Sequence, residues 1–277
     1  MRNILIIGCL AAIVFSTTAC NKELRKIEKT NNVEQKLAYA NKMYEKKKYN
    51  MAQTLYDELI PVFKGTDKFE QLYYNYAYCS YYLKDYMQAT FHFKNYLEAF
   101  PSSPRAMEID YMQAYSYYKL SPKASLDQTN TIKAIAAMQT FIDTYPNSDK
   151  SAEASLVIEM LRKKLELKEF NACELYYNIG HYKAAGVAFT NLMRNYPDSE
   201  KSDQYKYLAI KAYYLYAKNS IFTKQHERYD RVVSEYKEFL DRYPQSSLKN
   251  DAEKYYNLAV NNIKSLENEQ NKEISNQ

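Results

Sequence analysis

A four-residue motif recurs along this 277-residue chain and constrains its fold more than any other feature. In each copy an aromatic residue precedes a proline, and a serine follows two positions later. The copies are Phe100–Ser103, Tyr145–Ser148, Tyr196–Ser199 and Tyr243–Ser246. Their prolines are 45, 51 and 47 residues apart. Self-similarity at such a period is typical of proteins built from stacked repeat units.

The segments between the motifs predict helices, because their apolar residues follow a helical spacing and do not alternate. The chain has only 4 glycines, too few for the tight turns of a β-sandwich or barrel. Those glycines fit neither GxGxxG nor the P-loop pattern, which argues against a dinucleotide or P-loop enzyme. In each motif the proline would end one helix, and the following Ser or Asp would cap the next.

The repeat units fit the tetratricopeptide pattern, a helix pair of about 34 residues with small residues where helices cross. In the fifth unit Val232 takes a small position. In the first four units the small positions hold Ala40 and Ala52, Ala77 and Ala89, Ala114 and Ala134, and Cys173 and Ala185. We therefore predict an all-α, right-handed solenoid of about five tetratricopeptide-like helix hairpins plus a C-terminal capping helix.

The predicted boundaries follow from the motif positions. Extra length falls between the helices of a unit at 121–127 and 220–228, and the helix from Ser151 is expected to continue to about Tyr177. The units are expected at about 33–62, 68–101, 104–146, 149–197 and 200–244, with the capping helix at 248–266 and a polar tail at 267–277.

The N-terminus predicts a lipoprotein. An apolar run at 4–15 follows Arg2 and is too short to cross a hydrocarbon core of about 30 Å, but suits a signal peptide. The run leads through small residues to Cys20, which resembles a lipobox. We expect residues 1–19 to be removed, Cys20 to be acylated and 20–32 to form a tether. The alternative is ordinary secretory cleavage beside an incidental cysteine.

Two further cysteines, Cys79 and Cys173, fall on predicted inner helix faces. Such cysteines usually pack as small hydrophobic side chains. A disulfide between them is the alternative, since an exported protein meets an oxidising compartment.

Tyrosine is unusually abundant, with 31 residues. The first helix of a tetratricopeptide unit faces the concave groove, where tyrosine offers apolar area and a hydroxyl group to an extended peptide. The alternative is packing between helices, which we expect of Tyr176. The absence of Trp counts against carbohydrate stacking. The candidate groove residues are Tyr74, Tyr78, Tyr81, Tyr82, Tyr111, Tyr115, Tyr118 and Tyr177.

No catalytic, metal or cofactor site is predicted. The histidines His92, His181 and His226 have no metal-binding spacing, and no carboxylate pair is singled out for catalysis. The net charge of +5 is spread along the chain and does not indicate a nucleic-acid partner. We predict that the protein is not an enzyme.

An ordered set of residues resembles the BamD family, lipoproteins of the β-barrel assembly machinery in the bacterial outer membrane. The set follows the lipobox and comprises Tyr145–Ser148, Tyr176-Tyr177, Gly180 and Tyr196–Ser199. The departures are Thr17, where a lipobox usually has Leu, the insertion at 220–228 and the extra C-terminal helix and tail.

The resemblance implies a non-catalytic scaffold, held on the periplasmic face of the outer membrane by N-terminal acyl chains. Its partners would be the barrel-forming subunit, other assembly lipoproteins and unfolded outer-membrane proteins, whose folding and insertion it would promote. The main alternative is another periplasmic tetratricopeptide lipoprotein, an adaptor in envelope or peptidoglycan assembly. A glycan-binding lipoprotein and a helical lytic transglycosylase are further alternatives.

Overall fold

The computed structural model describes residue 27 and residues 30–275, with side chains of the last helix described up to residue 272. The predicted signal peptide, Cys20 and most of the tether lie outside the described residues.

Residues 30 to 275 form eleven α-helices and no β-strand, which confirms the all-α prediction. Ten of the helices form five successive pairs, and the last is unpaired. They are α1 Val33–Glu45, α2 Tyr49–Phe63, α3 Phe69–Tyr82, α4 Tyr86–Ala99, α5 Ala106–Leu120, α6 Thr129–Thr144, α7 Asp149–Asn178, α8 Tyr182–Asn195, α9 Ser202–Lys218, α10 Phe222–Arg242 and α11 Lys249–Ser275.

The chain divides into two compact units, with the boundary after Leu161, inside α7. In the first unit each helix from α1 to α5 packs on the next, and α1 also packs on α3. In the second unit α8 to α11 pack in the same sequential way, and α9 also packs on α11. Contacts to both the next helix and the one after it are what stacked hairpins require.

The predicted small positions are buried between the helices. All eight of these alanine and cysteine side chains are at most 3% exposed. Val232, which replaces a small residue in the fifth pair, is 0% exposed. Gly186 on α8 has even less space for a side chain, because a β-carbon there would lie 2.7 Å from the ring of Tyr213.

Each unit is built around aromatic residues as well as alanines. In the first unit Tyr56, Phe93 and Tyr96 are fully buried, and in the second unit Phe189 and Phe239 are. Aromatic side chains fill the space that the small crossing residues leave between neighbouring pairs.

Cys79 and Cys173 are free and buried, which matches the packing interpretation and not a disulfide. Burial raises the pKa of the Cys79 thiol to about 12 and that of Cys173 to about 11. Both side chains are therefore neutral and apolar at physiological pH.

The predicted insertion at 220–228 is wrong as a loop, because α10 begins at Phe222. The side chain of Gln225 donates to the carbonyl of Ser220 at 2.9 Å and fastens the first turn of the helix. Arg228 donates to the Ser220 hydroxyl and lies 4.2 Å from the ring centroid of Tyr216. These local contacts stabilise the first turn of α10, which the composition of this stretch did not predict.

The last helix also runs further than expected, through the stretch predicted as a polar tail to Ser275. No proline or glycine interrupts it. Leu266 is buried in the core of the second unit and Ile263 packs against that core, so the helix stays anchored beyond its middle.

Three of the four motif serines do not occupy the N-cap position that we expected, whereas Ser148 does, because α7 begins at Asp149. Ser103, Ser199 and Ser246 each lie three residues before the next helix. In all four motifs the serine hydroxyl oxygen accepts a backbone N–H two residues further on. The four acceptor distances are each 3.1 Å, for the pairs Ser103 with Arg105, Ser148 with Lys150, Ser199 with Lys201 and Ser246 with Leu248.

Three of these serines also donate to a carboxylate on the preceding helix pair. Ser103 donates to Glu70 at 2.7 Å, Ser199 to Glu166, and Ser246 to Asp203 at 2.6 Å. The motif therefore links one pair to the next. The linkage is tertiary, which is why the motif alone predicted only a cap.

Candidate functional site

Seven of the eight candidate tyrosines lie on two helices of the first unit, four on α3 and three on α5. Tyr177 lies on α7 in the second unit. We call the seven residues of the first unit the tyrosine face. They are Tyr74, Tyr78, Tyr81, Tyr82, Tyr111, Tyr115 and Tyr118.

A single carboxylate joins the two helices of the tyrosine face. Tyr74 and Tyr78 lie one turn apart on α3, with ring centroids 4.7 Å apart. Both hydroxyls donate to the same oxygen, Oε1 of Glu108 on α5, the Tyr74 bond measuring 2.8 Å. Because both bonds are to a charged acceptor, Glu108 holds the two rings in one orientation.

Ring contacts continue along both helices. On α3 the ring of Tyr78 lies 6.4 Å from Tyr81 and 5.7 Å from Tyr82. On α5 the rings of Tyr111 and Tyr115 stack at 5.7 Å, and Tyr118 lies 5.3 Å from Tyr115. The rings of each helix therefore form an unbroken aromatic row.

Burial divides the face into a base and an accessible layer. Tyr78 and Tyr111 are only 6% and 5% exposed, so they support the face from below. Tyr82 is exposed, and the remaining four tyrosines are half-buried. A half-buried ring is held in place by its neighbours and still offers one side to a ligand.

Cations lie over several of these rings, a feature that the sequence reasoning missed. The guanidinium of Arg105 is 4.5 Å from the ring centroid of Tyr74 and donates to Gln71 at 2.7 Å. Lys119 lies 5.5 Å from Tyr115, and Lys150 lies 5.3 Å from Tyr111. Positions at these distances allow cation–π attraction. The face is therefore both aromatic and basic.

One signal could have found Glu108 and Arg105. Tyr74 and Glu108 are 34 residues apart, and so are Gln71 and Arg105. This separation equals one repeat length. Residues at equivalent positions of successive pairs meet across the stack, so a search for complementary polar residues at that offset would have indicated both contacts.

The phenol groups of Tyr74 and Tyr78 are neutral across the physiological range. Burial, reinforced by the Glu108 carboxylate, raises the pKa of Tyr74 to about 12. The same two causes raise the pKa of Tyr78 further. Each hydroxyl therefore keeps its hydrogen and acts as a donor to Glu108.

Tyr177 belongs to the second unit, so it is not one of the residues of the tyrosine face. It is half-buried, with its ring 5.6 Å from Tyr182 and the Lys211 ammonium 5.0 Å from its centroid. Tyr176 was expected to pack between helices, and that expectation is wrong, because the side chain is 44% exposed. It lies on the outer side of its helix, one residue away from the half-buried ring.

The described part of the chain contains no group of three or more His, Cys, Asp or Glu side chains placed to hold a metal ion. None of its helices combines the length and the apolar character needed to span a bilayer.

Comparison with known proteins identifies the family. The model of the YfiO family, described as outer membrane lipoprotein, matches residues 30–221. The chain belongs to this family. The match covers α1 to α9 and therefore includes the whole tyrosine face.

Curated proteins similar to this chain carry the BamD name, which confirms the resemblance seen in the sequence. A protein of Aquifex aeolicus named "Putative outer membrane protein assembly factor BamD" is 26% identical over 67% of this chain and 58% of its own length. The outer membrane protein assembly factor BamD of Caulobacter vibrioides is 24% identical over 50% of this chain and 45% of its own length. The BamD of Rickettsia prowazekii is 22% identical over 62% of this chain and 69% of its own length.

The chain thus spans about half the length of the first two relatives. Among solved structures, it is similar to the "TPR2AB-domain:pHSP90-complex of yeast Sti1", with 14% identity and a TM-score of 0.38 over 82% of this chain and 98% of that one.

Proposed function

We propose that this YfiO-family protein is a non-catalytic scaffold of the outer-membrane β-barrel assembly complex. In this role it binds the barrel-forming subunit, other assembly lipoproteins and unfolded outer-membrane protein segments, and promotes their folding and insertion. The observation that carries the proposal is the family match over residues 30–221, together with relatives named as outer membrane protein assembly factors.

The tyrosine face supports a peptide-binding role. Strands of outer-membrane barrels alternate apolar and polar residues and end near aromatic girdles. An extended strand of that kind could set aromatic side chains against half-buried Tyr74, Tyr81 and Tyr115. Arg105, 4.5 Å from the Tyr74 ring, would meet a carboxylate or a backbone carbonyl of the same peptide.

The proposed attachment to the membrane is acylation of Cys20 after removal of residues 1–19. Each buried methylene of an acyl chain contributes about 0.8 kcal/mol, so one chain binds weakly and two or more hold the protein permanently. With the acyl chains in the inner leaflet of the outer membrane, the helical units would lie on the periplasmic side.

The competing proposal is an adaptor lipoprotein of envelope or peptidoglycan assembly. Both proposals involve the same anchor and the same helical pairs, so they differ only in the partners. The native protein, purified from its membrane, distinguishes them. The barrel-forming subunit should copurify under the first proposal, and mass spectrometry of the same sample should find the acylated N-terminus at Cys20.

Peptide binding tests the tyrosine face directly. The ligand is a synthetic peptide with the alternating pattern and aromatic end of a barrel strand, and a scrambled peptide is the reference. The double variant Tyr74→Ala with Tyr115→Ala removes two half-buried rings and leaves buried Tyr78 and Tyr111 in place. We expect it to weaken binding about tenfold, since stacked aromatic contacts contribute about 0.5–1.5 kcal/mol each beyond their buried area.

Tyr176→Ala is the matched control, because Tyr176 is exposed and lies outside the tyrosine face. Its affinity for the peptide should equal that of the unmodified protein. Equal affinity in the double variant, with helical content retained by circular dichroism, would contradict a peptide role for this face.

A further inference from the structure

The turns of the first two helix pairs lie side by side. Tyr44 is near the end of α1, Tyr49 begins α2 and Tyr82 ends α3. The rings of Tyr49 and Tyr82 stack with centroids 4.5 Å apart and planes 22° apart, and Tyr44 lies 6.4 Å from Tyr82. These contacts join the turn at 46–48 to the turn at 83–85, and we call this joined surface the turn edge.

The turn edge is basic. Lys46, Lys47 and Lys84 are exposed, and no ion pair within residues 30–275 involves them. The neighbouring carboxylates are Glu45, which is exposed, and Asp85, whose side chain accepts the Gln88 N–H at 3.1 Å and so caps α4. With Lys48, which is also exposed, four lysines outnumber two carboxylates, one of which is engaged by the helix terminus.

Two of these lysines have a backbone conformation that suits glycine. Lys47 has φ 58° and Lys84 has φ 64°, whereas the corresponding turn between α7 and α8 has Gly180 at φ 80°. Residues other than glycine rarely adopt positive φ, and where they persist a function is a reasonable hypothesis. At both turns of the edge the chain has a lysine where a glycine would be easier.

We propose that the turn edge rests on an anionic phospholipid surface. Lysine ammonium groups are attracted to the phosphates of such a surface. Tyrosine is enriched at the level of the lipid headgroups, where its ring is in contact with apolar material and its hydroxyl with water. Tyr82, which is 44% exposed, and half-buried Tyr49 provide that combination between the lysines.

The chain N-terminal to the fold is long enough for this contact. Ile27 packs against the core of the first unit, so the 7 residues from Cys20 to Ile27 provide the free length, which is about 24 Å when fully extended. Helix α1 has 13 residues and is about 20 Å long, so the turn at its far end lies within that reach. An acyl anchor at Cys20 would raise the local concentration of the turn edge at the membrane. This step alone depends on the proposed function.

The test avoids the anchor. The chain from residue 21 onward keeps every described residue and lacks the acylation site. It is mixed with phosphatidylcholine vesicles, with or without phosphatidylglycerol, and the bound fraction is measured by sedimentation at several salt concentrations. We expect binding to the anionic vesicles that weakens as salt increases.

The informative variant is Lys47→Gly with Lys84→Gly. It removes two charges and also relieves both positive-φ positions, so the fold should be kept. The partition coefficient on anionic vesicles should drop about tenfold or more, because each lysine near such a surface contributes about 1 kcal/mol. Lys46→Gln is a second variant, with a loss of about fivefold expected.

The matched control is Lys237→Gln with Lys264→Gln, which removes the same charge from exposed positions of the second unit. It should bind vesicles as well as the unmodified chain does. Three results would overturn the proposal. These are no preference for anionic vesicles, unchanged binding in the glycine variant, and an equal loss in the control.

Peptide affinity separates this proposal from the function proposed above. The glycine variant should keep full affinity for the aromatic-ended peptide while its vesicle binding falls. If it loses peptide affinity and keeps vesicle binding, the turn edge belongs to the peptide site and not to a membrane contact. If Tyr74→Ala with Tyr115→Ala binds vesicles normally but fails to lose peptide affinity, only the peptide proposal fails.

Discussion

The hydroxyl of Tyr74 donates to Oε1 of Glu108 at 2.8 Å, across 34 residues of sequence. The next turn of α3 places the Tyr78 hydroxyl on the same oxygen. One glutamate thus fixes two aromatic rings on the neighbouring helix pair. The position of the tyrosine face depends on a contact between repeats and not on either helix alone.

We expect Glu108→Ala to destabilise the first unit more than Glu108→Gln does. The alanine variant leaves two phenol hydroxyls without their acceptor, those of half-buried Tyr74 and buried Tyr78, at a cost of about 1–3 kcal/mol. The glutamine variant keeps a neutral acceptor and should lose less. Urea unfolding of the three proteins measures the difference, and equal stability of the two variants would show that the carboxylate carries no hydrogen-bonding role.

The link between Ser103 and Glu70 predicts a pH dependence. Hydrogen bonds from Ser103 and then from Tyr96 lower the pKa of Glu70 below its usual value. A carboxylate whose pKa is lower in the folded state stabilises the fold above its unfolded pKa of about 4.3, and that contribution is lost as pH falls through the folded-state pKa.

Glu70→Gln should therefore be less stable than the unmodified protein at neutral pH, and the two should converge below about pH 4. Free energies of unfolding at a series of pH values test this. Glu98→Gln is the control, because Glu98 makes only an exposed ion pair with Lys94. A difference for Glu70→Gln that does not shrink in acid would contradict the prediction.

Lys206 is an ion-pair centre in the second unit. Its side chain is 2% exposed and pairs with Glu235, which is 3% exposed, and with Glu238 at 2.6 Å. Removing one partner of a buried pair typically costs about 3–5 kcal/mol. The cost here should fall at the lower end of that range, because Glu235 keeps a second partner, Arg231, at 2.5 Å. Lys206→Met should show a loss of that order.

Adding Glu235→Leu to Lys206→Met should recover much of the lost stability, since an apolar replacement of both partners removes the buried charge. Denaturant unfolding of the single and double variants tests this. If the double variant is no more stable than Lys206→Met, the loss of Lys206 as a partner of the buried Glu235 carboxylate is not the cause.

Gly186→Ala should destabilise the second unit by about 1–3 kcal/mol, because its β-carbon would lie within 2.9 Å of three ring atoms of Tyr213. Gly180→Ala meets nothing within 4 Å, but places a side chain at φ +80° and should cost about 1–2 kcal/mol. A second change, Tyr213→Leu, should relieve only the first variant. Thermal unfolding of the single and double variants distinguishes the steric cause from the backbone cause.

The sequence predicted the helical pairs because their signals are local. Small residues such as Ala77 and Ala89 recur with the repeat, and proline punctuates it, so helix type and pairing could be read directly. Helix ends at Phe222 and Ser275 were less predictable. They depend on side-chain contacts such as Gln225 with Ser220 and on the packing of Leu266, which a polar composition conceals.

The candidate site was predictable only in part. The helical spacing placed Tyr74 and Tyr78 on the same helix, but their unequal burial follows from what packs against each ring. Tyr176 and Tyr177 are neighbours in sequence, yet one is exposed and the other is half-buried. Exposure depends on the neighbouring helices, which a helical period does not specify.

By itself, the sequence determined that this protein is a series of helix pairs with a lipoprotein-like start, because periodicity, proline punctuation and the run before Cys20 are properties of consecutive residues. Only the tertiary structure decided that Glu108 accepts hydrogen bonds from both Tyr74 and Tyr78, and that Arg105 lies over the Tyr74 ring. It also decided that the lysines of two turns lie on one edge. Those relationships join residues about one repeat apart, and they exist only once helix pairs have stacked and brought equivalent positions into contact.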